Sequence, residues 1–402
     1  MRCSHRFVHT YGTQLLFIIA TIYTITLNIP NSIGLYETNY IHVLKNKYNG
    51  IPESAIIDIT PIRWKNSPFI TNHTFYIKDE FLFAGLHEQY QKECNTNNVT
   101  LYHLRNCYVS GSTAVIHNNT VIQSPGIPST ITYLYKAYPG KLIAKHDIVV
   151  ATGHFGCMVF GHFIADGLSP LMQIPSDILK KAKIVICAPQ KYIDDFTPPL
   201  GLQFVNIKYN EWVYAEELYI NFNPRLHLAH AGPCFAKLRD FMREKFGLLN
   251  VTPYKYVITN RAHAYRNISN FDEIVSAVKA EYPKIEWLIH SQGTGKIEET
   301  IKIYGYAKML FGPIGSNFYN CVFLHPSAIC IIATGDAYDP TTSAIIACKF
   351  NRVVLYCEPK VPQFKHVINN YNVTRALLAF KIAFYVEKHN KWPEISNGAL
   401  FA

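Results

Sequence analysis

The chain has 402 residues, which is too long for one ordinary domain core and fits two domains with additional terminal segments. Its composition, 49% apolar and 16% charged, is that of a globular protein and excludes an intrinsically disordered chain. The formal net charge is +10, but the Lys and Arg residues are scattered and form no basic run interleaved with aromatics. A nucleic-acid partner is therefore not expected.

The first thirty residues have the pattern of a membrane-targeting segment. Arg2 and Arg6 precede an apolar stretch over residues 11–29, and no clear small-residue cleavage site lies before Pro30. This pattern favours a retained transmembrane signal-anchor over a removed signal peptide, with residues 1–10 as a cytosolic tail. Because the span is short, we expect a single-pass type II protein of the Golgi or endoplasmic reticulum membrane, with its main part in the lumen.

Acceptor triplets for N-glycosylation support a lumenal location, although an Asn-rich chain also produces such triplets by chance. Asn250 is discounted because Pro253 follows its triplet, and Asn267 is expected to be unmodified because it falls in a candidate binding loop. The predicted glycosylation sites are Asn72, Asn98, Asn118 and Asn372.

Residues 30–68 are polar with Pro and Asn punctuation and predict a stem, and residues 69–249 predict a first lobe. The lobe begins with short β-rich pieces and continues with alternating strands and helices. The predicted strands are 74–77, 114–117, 130–135, 148–151, 183–188 and 202–207, and the predicted helices are 162–173 and 233–246.

A second lobe is predicted over residues 250–402, because Gly247 ends a helix and Pro253 begins a new alternation. Apolar strands that alternate with helices favour parallel sheets covered on both faces, so we expect an α/β fold of two facing lobes with a ligand cleft between them. Its predicted strands are 256–259, 285–289, 309–311 and 328–333, and its predicted helices are 271–279, 297–307 and 317–323.

The segment 161–171, GHFIADGLSPL, contains the candidate catalytic pair. His162 and Asp166 are four residues apart, which places both side chains on one face of a helix. Either a carboxylate or a carboxylate-oriented imidazole can take the proton of an attacking hydroxyl. We favour Asp166 as the base and His162 as its hydrogen-bonding neighbour, but the pattern does not separate the two roles. The alternative is a pair on a helix surface with no function.

Two further segments contain candidate anion-binding groups. Arg261 and Arg266 follow a predicted strand, and a guanidinium group matches the oxygen atoms of a diphosphate. Gly312 and Gly315 form a turn that leads into a helix, whose first backbone amides can hold an anion. Surface arginines and a simple strand-to-helix connector are the alternatives.

The three segments resemble, in the same order, motifs of glycosyltransferase family 61, which includes plant xylosyl- and arabinosyltransferases and O-linked GlcNAc transferases. The first resembles H-x-x-x-D-G-x-x-P-L, and the second resembles R-x-I-x-N from Arg266 onward. The third resembles E-Q-…-A-…-G-x-H-G-A-G-…-N-x-x-F, from Glu299 to Phe323. Four positions depart from this motif: Thr300 stands for Gln, Ile314 for His, and Ser316 with Asn317 for Ala-Gly. The donor- and phosphate-binding residues that the resemblance implies are Arg261, Arg266, Asn270, Glu299, Gly312, Gly315, Ser316, Asn317 and Asn320.

This resemblance implies two facing Rossmann-like lobes of the GT-B type and an inverting, metal-independent glycosyltransferase without a cofactor. Such an enzyme moves a hexose or pentose from a nucleotide-diphosphate sugar, here expected to be UDP-linked, to a hydroxyl of a glycan or glycoprotein. Asp194 and Asp195 are expected in a solvated loop, and no Asp-x-Asp motif occurs in the chain. The alternative is a catalytically inactive, carbohydrate-binding homologue in which Ile314 marks a lost donor site.

Overall fold

A computed structural model describes most of the chain beyond residue 100 and two short earlier pieces. The predicted tail, the anchor over 11–29 and the glycosylation sites Asn72, Asn98 and Asn118 lie outside the described residues, as do nearly all of the stem and the strand over 130–135. None of the helices that are described combines the length and the apolar character needed to cross a bilayer. The described residues are 40–41, 74–77, 100–111, 113–117, 120–122, 140–153, 155–208, 211–222, 233–261, 266–290, 296–335, 352–357, 369–391, 393, 395–396 and 399–400.

The first sheet is mixed rather than parallel throughout. Its strand order is β5-β4-β3-β9-β6-β7-β8, with β1 paired to β6. Strands β9, β6, β7 and β8 run parallel, whereas β3 pairs antiparallel with both β4 and β9. Short connections allow the consecutive strands β3, β4 and β5 to pair antiparallel. The strands are β1 (Tyr40–Ile41), β3 (Thr100–Ser110), β4 (Val115–His117), β5 (Thr120–Ile122), β6 (Gly140–Ala151), β7 (Lys183–Ile186), β8 (Gln203–Asn206) and β9 (Glu211–Phe222).

Four helical segments follow strands of this sheet in the described part of the chain. The first, α1, replaces the predicted regular helix by four successive pieces: Phe155–Met158 and Ser169–Gln173 in 3-10 geometry, Phe160–His162 in α geometry and Phe163–Leu168 in π geometry. The others are α2 (Ser176–Lys181), α3 (Gln190–Leu200) and α4 (Pro233–Lys245).

The expectation of a loop at Asp194 and Asp195 is wrong, because both residues lie in α3. Their carboxylates make i,i+4 contacts that stabilise the helix: Gln190 donates to Asp194 over 2.8 Å, and Lys191 pairs with Asp195 at 2.7 Å. The helix ends at Gly201, whose φ of 65° is the left-handed conformation common after helices.

The second sheet is parallel throughout and has the order β11-β10-β12-β13-β14-β2. Its last strand, β2, comes from an early part of the chain. The strands are β2 (Thr74–Ile77), β10 (Lys255–Thr259), β11 (Trp287–His290), β12 (Ala307–Pro313), β13 (Ile329–Thr334) and β14 (Arg352–Cys357). The helices are α5 (Phe271–Glu281), α6 (Ile297–Tyr304), the 3-10 helix α7 (Ser316–Phe323) and α8 (Val373–His389).

Two hydrophobic clusters organise the second sheet. One contains Phe271 of α5 and Phe380 of α8 on one face. The larger cluster joins the two parts of the chain, since it includes Phe163 of α1, Phe235 of α4 and Phe323 of α7, all fully buried. Two parallel-rich sheets with helices packed on them make a Rossmann-like α/β fold, in which α1, α4 and α7 share one core.

Arg243 of α4 fixes the end of α7. Its guanidinium is 3% exposed, donates from Nη1 to the carbonyl oxygen of Phe323 over 2.7 Å, and donates from Nη2 to that of Leu248. A cation at a helix C-terminus satisfies carbonyl groups that have no partner within the helix. The position of α7 is therefore set from the first part of the chain.

Candidate active site

His162 and Asp166 form a hydrogen-bonded pair on α1. Nδ1 of His162 lies 2.7 Å from Oδ2 of Asp166, and their side chains are 26% and 3% exposed. In the tautomer that carries its proton on Nδ1, this atom donates to the carboxylate, which fixes the ring and makes Nε2 the basic nitrogen. The imidazole is the more exposed of the two groups, so in this geometry a substrate reaches it more readily than the buried carboxylate.

The π geometry of α1 places Asp166 in the core. All six residues of Phe163–Leu168 are buried, whereas a regular helix on a protein surface buries only one of its faces. A π turn is wider than an α turn and is frequent at functional sites. The segment therefore holds a carboxylate among apolar side chains directly behind the imidazole.

The loop that contains Arg261 and Arg266 is fixed at both ends by Asn260, which the sequence analysis missed. Oδ1 of Asn260 accepts from the backbone nitrogens of Arg261 and Ile268 over 2.8 and 3.0 Å, and its Nδ2 donates to the oxygen of Ile268 over 2.9 Å. Asn267 adds a bond from Nδ2 to the oxygen of Arg261. The sequence signal that could have identified Asn260 was an Asn directly after an apolar strand.

Both arginines lie against Gly315. A Cβ added to Gly315 would overlap Nη1 of Arg261 and come within 3.2 Å of Cζ of Arg266. Gly315 has φ 134° and ψ −165°, a conformation reserved in practice for glycine, and it precedes α7. The two guanidinium groups therefore gather at the start of α7, because β10 and β12 are parallel neighbours whose following loops meet at one edge.

The electrostatics of these arginines suit an anion. Burial lowers the pKa of Arg261, and burial followed by the charge of Arg261 lowers the pKa of Arg266 to about 10. Both groups remain protonated at neutral pH. Nη1 of Arg261 is buried and has no hydrogen-bond partner among the residues that the structure describes. A bound anion would stabilise both charges.

The α7 segment also contacts α1 beside the candidate catalytic pair. A Cβ added to Gly161 would lie 2.7 Å from the ring of Tyr319 and 3.3 Å from Oγ of Ser316. Because Ser316 directly follows Gly315, the three sequence segments meet around the first turn of α7. Gly161, next to His162, is the position that permits this close approach.

Other predicted residues have structural contacts. The amide of Asn270 donates to the oxygen of Tyr371 over 2.9 Å and accepts from its nitrogen over 2.8 Å, which ties the start of α5 to the segment before α8. Gly312 packs against Thr259, whose hydroxyl a Cβ would overlap. Glu299 is exposed in the first turn of α6.

Ile314 has no exposed surface and belongs to the larger hydrophobic cluster. Its backbone nitrogen donates to the oxygen of Ala333 over 2.9 Å. Ile314, at the position where the resembled motif has His, is therefore a core packing residue. Asn317 and Asn320 line a cavity beside α7 with residues of α3 and α6.

His290 is a further residue at this edge that the sequence analysis missed. It ends β11, and its carbonyl oxygen accepts from Asn260 N over 3.1 Å. Burial lowers its pKa, opposed by the charge of Glu299. Within the described ranges, no group of three or more His, Cys, Asp and Glu side chains is arranged to hold a metal ion.

Comparison with known proteins identifies one family. Residues 160–331 match the family model Glycosyltransferase 61, a range that includes the candidate catalytic pair, the arginine loop and α7. A search of curated proteins gave no match.

Proposed function

We propose, because residues 160–331 match the family model Glycosyltransferase 61, that the chain is a member of this family and an inverting glycosyltransferase acting on a nucleotide-diphosphate sugar, with UDP as the nucleotide. The acceptor is a hydroxyl of a glycan or glycoprotein. Family membership supports a glycosyltransferase, and the donor, the acceptor and the stereochemistry are part of the proposal.

The main observation behind the proposal is that a candidate base and two cationic side chains lie close to the first turn of α7. Gly161, beside His162, contacts Ser316 and Tyr319, while Gly315 contacts Arg261 and Arg266. Transfer of a sugar needs a base for the acceptor hydroxyl and positive charge for the departing diphosphate. Both requirements are met by residues on facing elements.

In the proposed reaction, Nε2 of His162 takes the hydroxyl proton while the acceptor oxygen attacks the anomeric carbon from the side opposite the diphosphate. The bond from that carbon to the phosphate oxygen breaks, and its electron pair leaves with the nucleoside diphosphate. Asp166 keeps Nδ1 protonated and stabilises the imidazolium that forms. Arg261, Arg266 and the first amides of α7 stabilise the diphosphate charge.

The arginines supply this charge in place of a divalent cation, so the proposal is metal-independent. We further propose that the two sheets with their helices act as facing lobes of the GT-B type. Arg2 and Arg6 before the apolar stretch over 11–29 support a type II anchor in the Golgi or endoplasmic reticulum, with the catalytic part in the lumen.

The test is turnover by the full-length protein in detergent with a panel of nucleotide sugars and glycan acceptors, with and without EDTA. His162→Gln and Asp166→Asn should each lower kcat by about 10²–10⁴. The matched control Asp194→Asn, on the exposed face of α3, should not. Turnover by both pair variants equal to that of the wild type would remove the pair from catalysis.

Titration with UDP, GDP and CMP separates the enzyme from an inactive homologue, because a nucleotide that binds the native state raises its thermal stability. An enzyme should show a concentration-dependent rise with one of them. Absence of both turnover and nucleotide-dependent stabilisation would instead indicate a catalytically inactive, carbohydrate-binding homologue.

A further inference from the structure

A cavity of about 190 Å³ lies between α3 and the helices α6 and α7. Phe160 and Tyr192 form part of its wall on the first-sheet side, and Lys296, Asn317 and Asn320 form part of the other. Helices that follow strands of both sheets thus contribute to one partly open cavity beside the proposed catalytic site.

The cavity is distinct from the two subsites already described. Phe160 lines it, whereas His162 lies two residues further along α1, and side chains two apart on a helix do not face each other. Gly161 between them is covered by Tyr319. Neither Arg261 nor Arg266 belongs to the cavity wall.

Asn320 supplies a buried hydrogen-bond acceptor at this cavity. The residue is 6% exposed, and its Nδ2 donates to the oxygen of Asn317 over 3.0 Å. Its Oδ1 is buried and has no hydrogen-bond partner among the described residues. A buried acceptor without a donor is costly, so a ligand that donates a hydroxyl hydrogen would stabilise it.

The opposite wall combines aromatic and charged groups. The rings of Phe160 and Tyr192 meet edge to face with centroids 5.5 Å apart. Asp195 lies one turn after Lys191 on α3 and pairs with it at 2.7 Å, and both side chains line the cavity. Aromatic rings suit the C–H faces of a sugar, and carboxylate, ammonium and amide groups suit its hydroxyls.

The size of the cavity limits the ligand. Sites for drug-sized molecules have volumes of about 300–1,000 Å³, so this cavity is too small for a whole nucleotide sugar and suits a single ring. We propose that it binds one sugar ring of the acceptor glycan, apart from the ring that presents the reacting hydroxyl. The assignment to the acceptor rests on the proposed function, since the donor's diphosphate is assigned to the arginines.

The experiment measures binding of methyl glycosides of glucose, galactose, mannose, N-acetylglucosamine and xylose to the full-length protein in detergent, by saturation-transfer NMR without nucleotide. At least one glycoside should bind. Asp195→Ala and Asn320→Leu should each raise its Kd about ten-fold or more, because each removes a hydrogen bond to the ring. Asp194→Ala changes the neighbouring residue of α3, outside the cavity wall, and should leave the Kd unchanged.

Thermal unfolding of each variant shows whether it is folded. If Asn320→Leu does not fold, Asp195→Ala still tests the cavity, because Asp195 is less buried than Asn320. Binding of no glycoside to the wild type, or unchanged binding by a folded Asp195→Ala protein, would overturn the proposal. Stabilisation by UDP tests the proposed function separately. Arg261→Met should abolish stabilisation by UDP and keep glycoside binding. Asp195→Ala should keep stabilisation by UDP and weaken glycoside binding.

Discussion

Nη1 of Arg261 occupies the position in which a side chain on Gly315 would begin. The guanidinium group therefore packs directly on the backbone that enters α7, and its charge lies beside the first amides of that helix. Any residue larger than glycine at position 315 would separate these two sources of positive potential.

Gly315→Ala should displace Arg261 and impose a backbone conformation that alanine rarely adopts, at a cost of about 1–3 kcal/mol in the free energy of unfolding. Loss of the arginine position should also abolish stabilisation by UDP, measured by thermal unfolding. Gly201→Ala is the matched control, because Gly201 also has a positive φ, 65°, but nothing lies within 4 Å of an added Cβ. Equal nucleotide responses of the two variants would contradict this view of Gly315.

Gly161→Ala should push Tyr319 away from α1, because the added methyl group would lie 2.7 Å from the ring. Tyr319 has little room to move, since it packs edge to face on Phe235 with centroids 6.0 Å apart. Small misplacements of reacting groups cost up to about 10² in rate, so kcat should fall while UDP binding is retained. Adding Tyr319→Ala should recover part of the loss, and strictly additive effects in this double-mutant cycle would refute the contact.

Arg266→Met should stabilise the ligand-free protein. The pKa of Arg266 is lowered to about 10 by burial and by Arg261, so its charge at neutral pH is less favourable in the folded state than in the unfolded chain. Urea unfolding should show a gain of about 1 kcal/mol, and UDP should stabilise the variant much less than the wild type. Arg105→Met, at a side chain that is 72% exposed, should change neither quantity.

Stability should decrease as pH falls below 6.5. Burial is the main cause that lowers the pKa of His103, His146, His290 and His325 from 6.5. The unfolded chain therefore binds protons at a higher pH than the folded protein does, and each histidine contributes stability that is present above pH 6.5 and lost as pH falls through its folded pKa. Each contributes at most about 1.4 kcal/mol per pH unit. Urea unfolding between pH 7.5 and 5.5 should show this slope, and His290→Gln should reduce it.

Glycopeptide mapping should find a glycan on Asn372 and none on Asn267. Asn372 is exposed at the start of α8, whereas Nδ2 of Asn267, the atom that would be glycosylated, donates to the oxygen of Arg261. Asn372→Gln should increase electrophoretic mobility, and Asn267→Gln should not. A glycan on Asn267 in catalytically active protein would exclude the proposed position of the arginine loop at the donor.

Four of the six strands of the parallel second sheet were predictable because they are short apolar runs between amphipathic helices, as in Val257–Ile258 and Leu310–Phe311. Strand β14 was not predicted, and β2 was expected in the first lobe. Strand β9 was missed because Glu216 and Glu217 interrupt its apolar pattern. Glu217 is accommodated by the neighbouring strand β3, where His103 and Arg105 lie 3.5 and 3.9 Å from its carboxylate. Such cross-strand partners are not visible in the sequence of β9 itself.

Contact between His162 and Asp166 was predictable because it depends only on helical spacing. Their different exposure, 26% and 3%, was not predictable, since it is set by packing of α1 against α4 and α7. The cavity beside Asn320 could not be predicted from the sequence either, because its walls come from helices that are distant in the chain.

Strand β2 pairs with β14, so residues near the beginning of the described chain complete a sheet whose other strands come from its second half. During synthesis β2 is made long before β14, and its backbone hydrogen bonds in this sheet must wait for almost the whole chain to emerge. The second sheet therefore has a high contact order, which slows folding. A fragment that begins at residue 250 would lack one edge strand and expose β14 to pairing with other molecules.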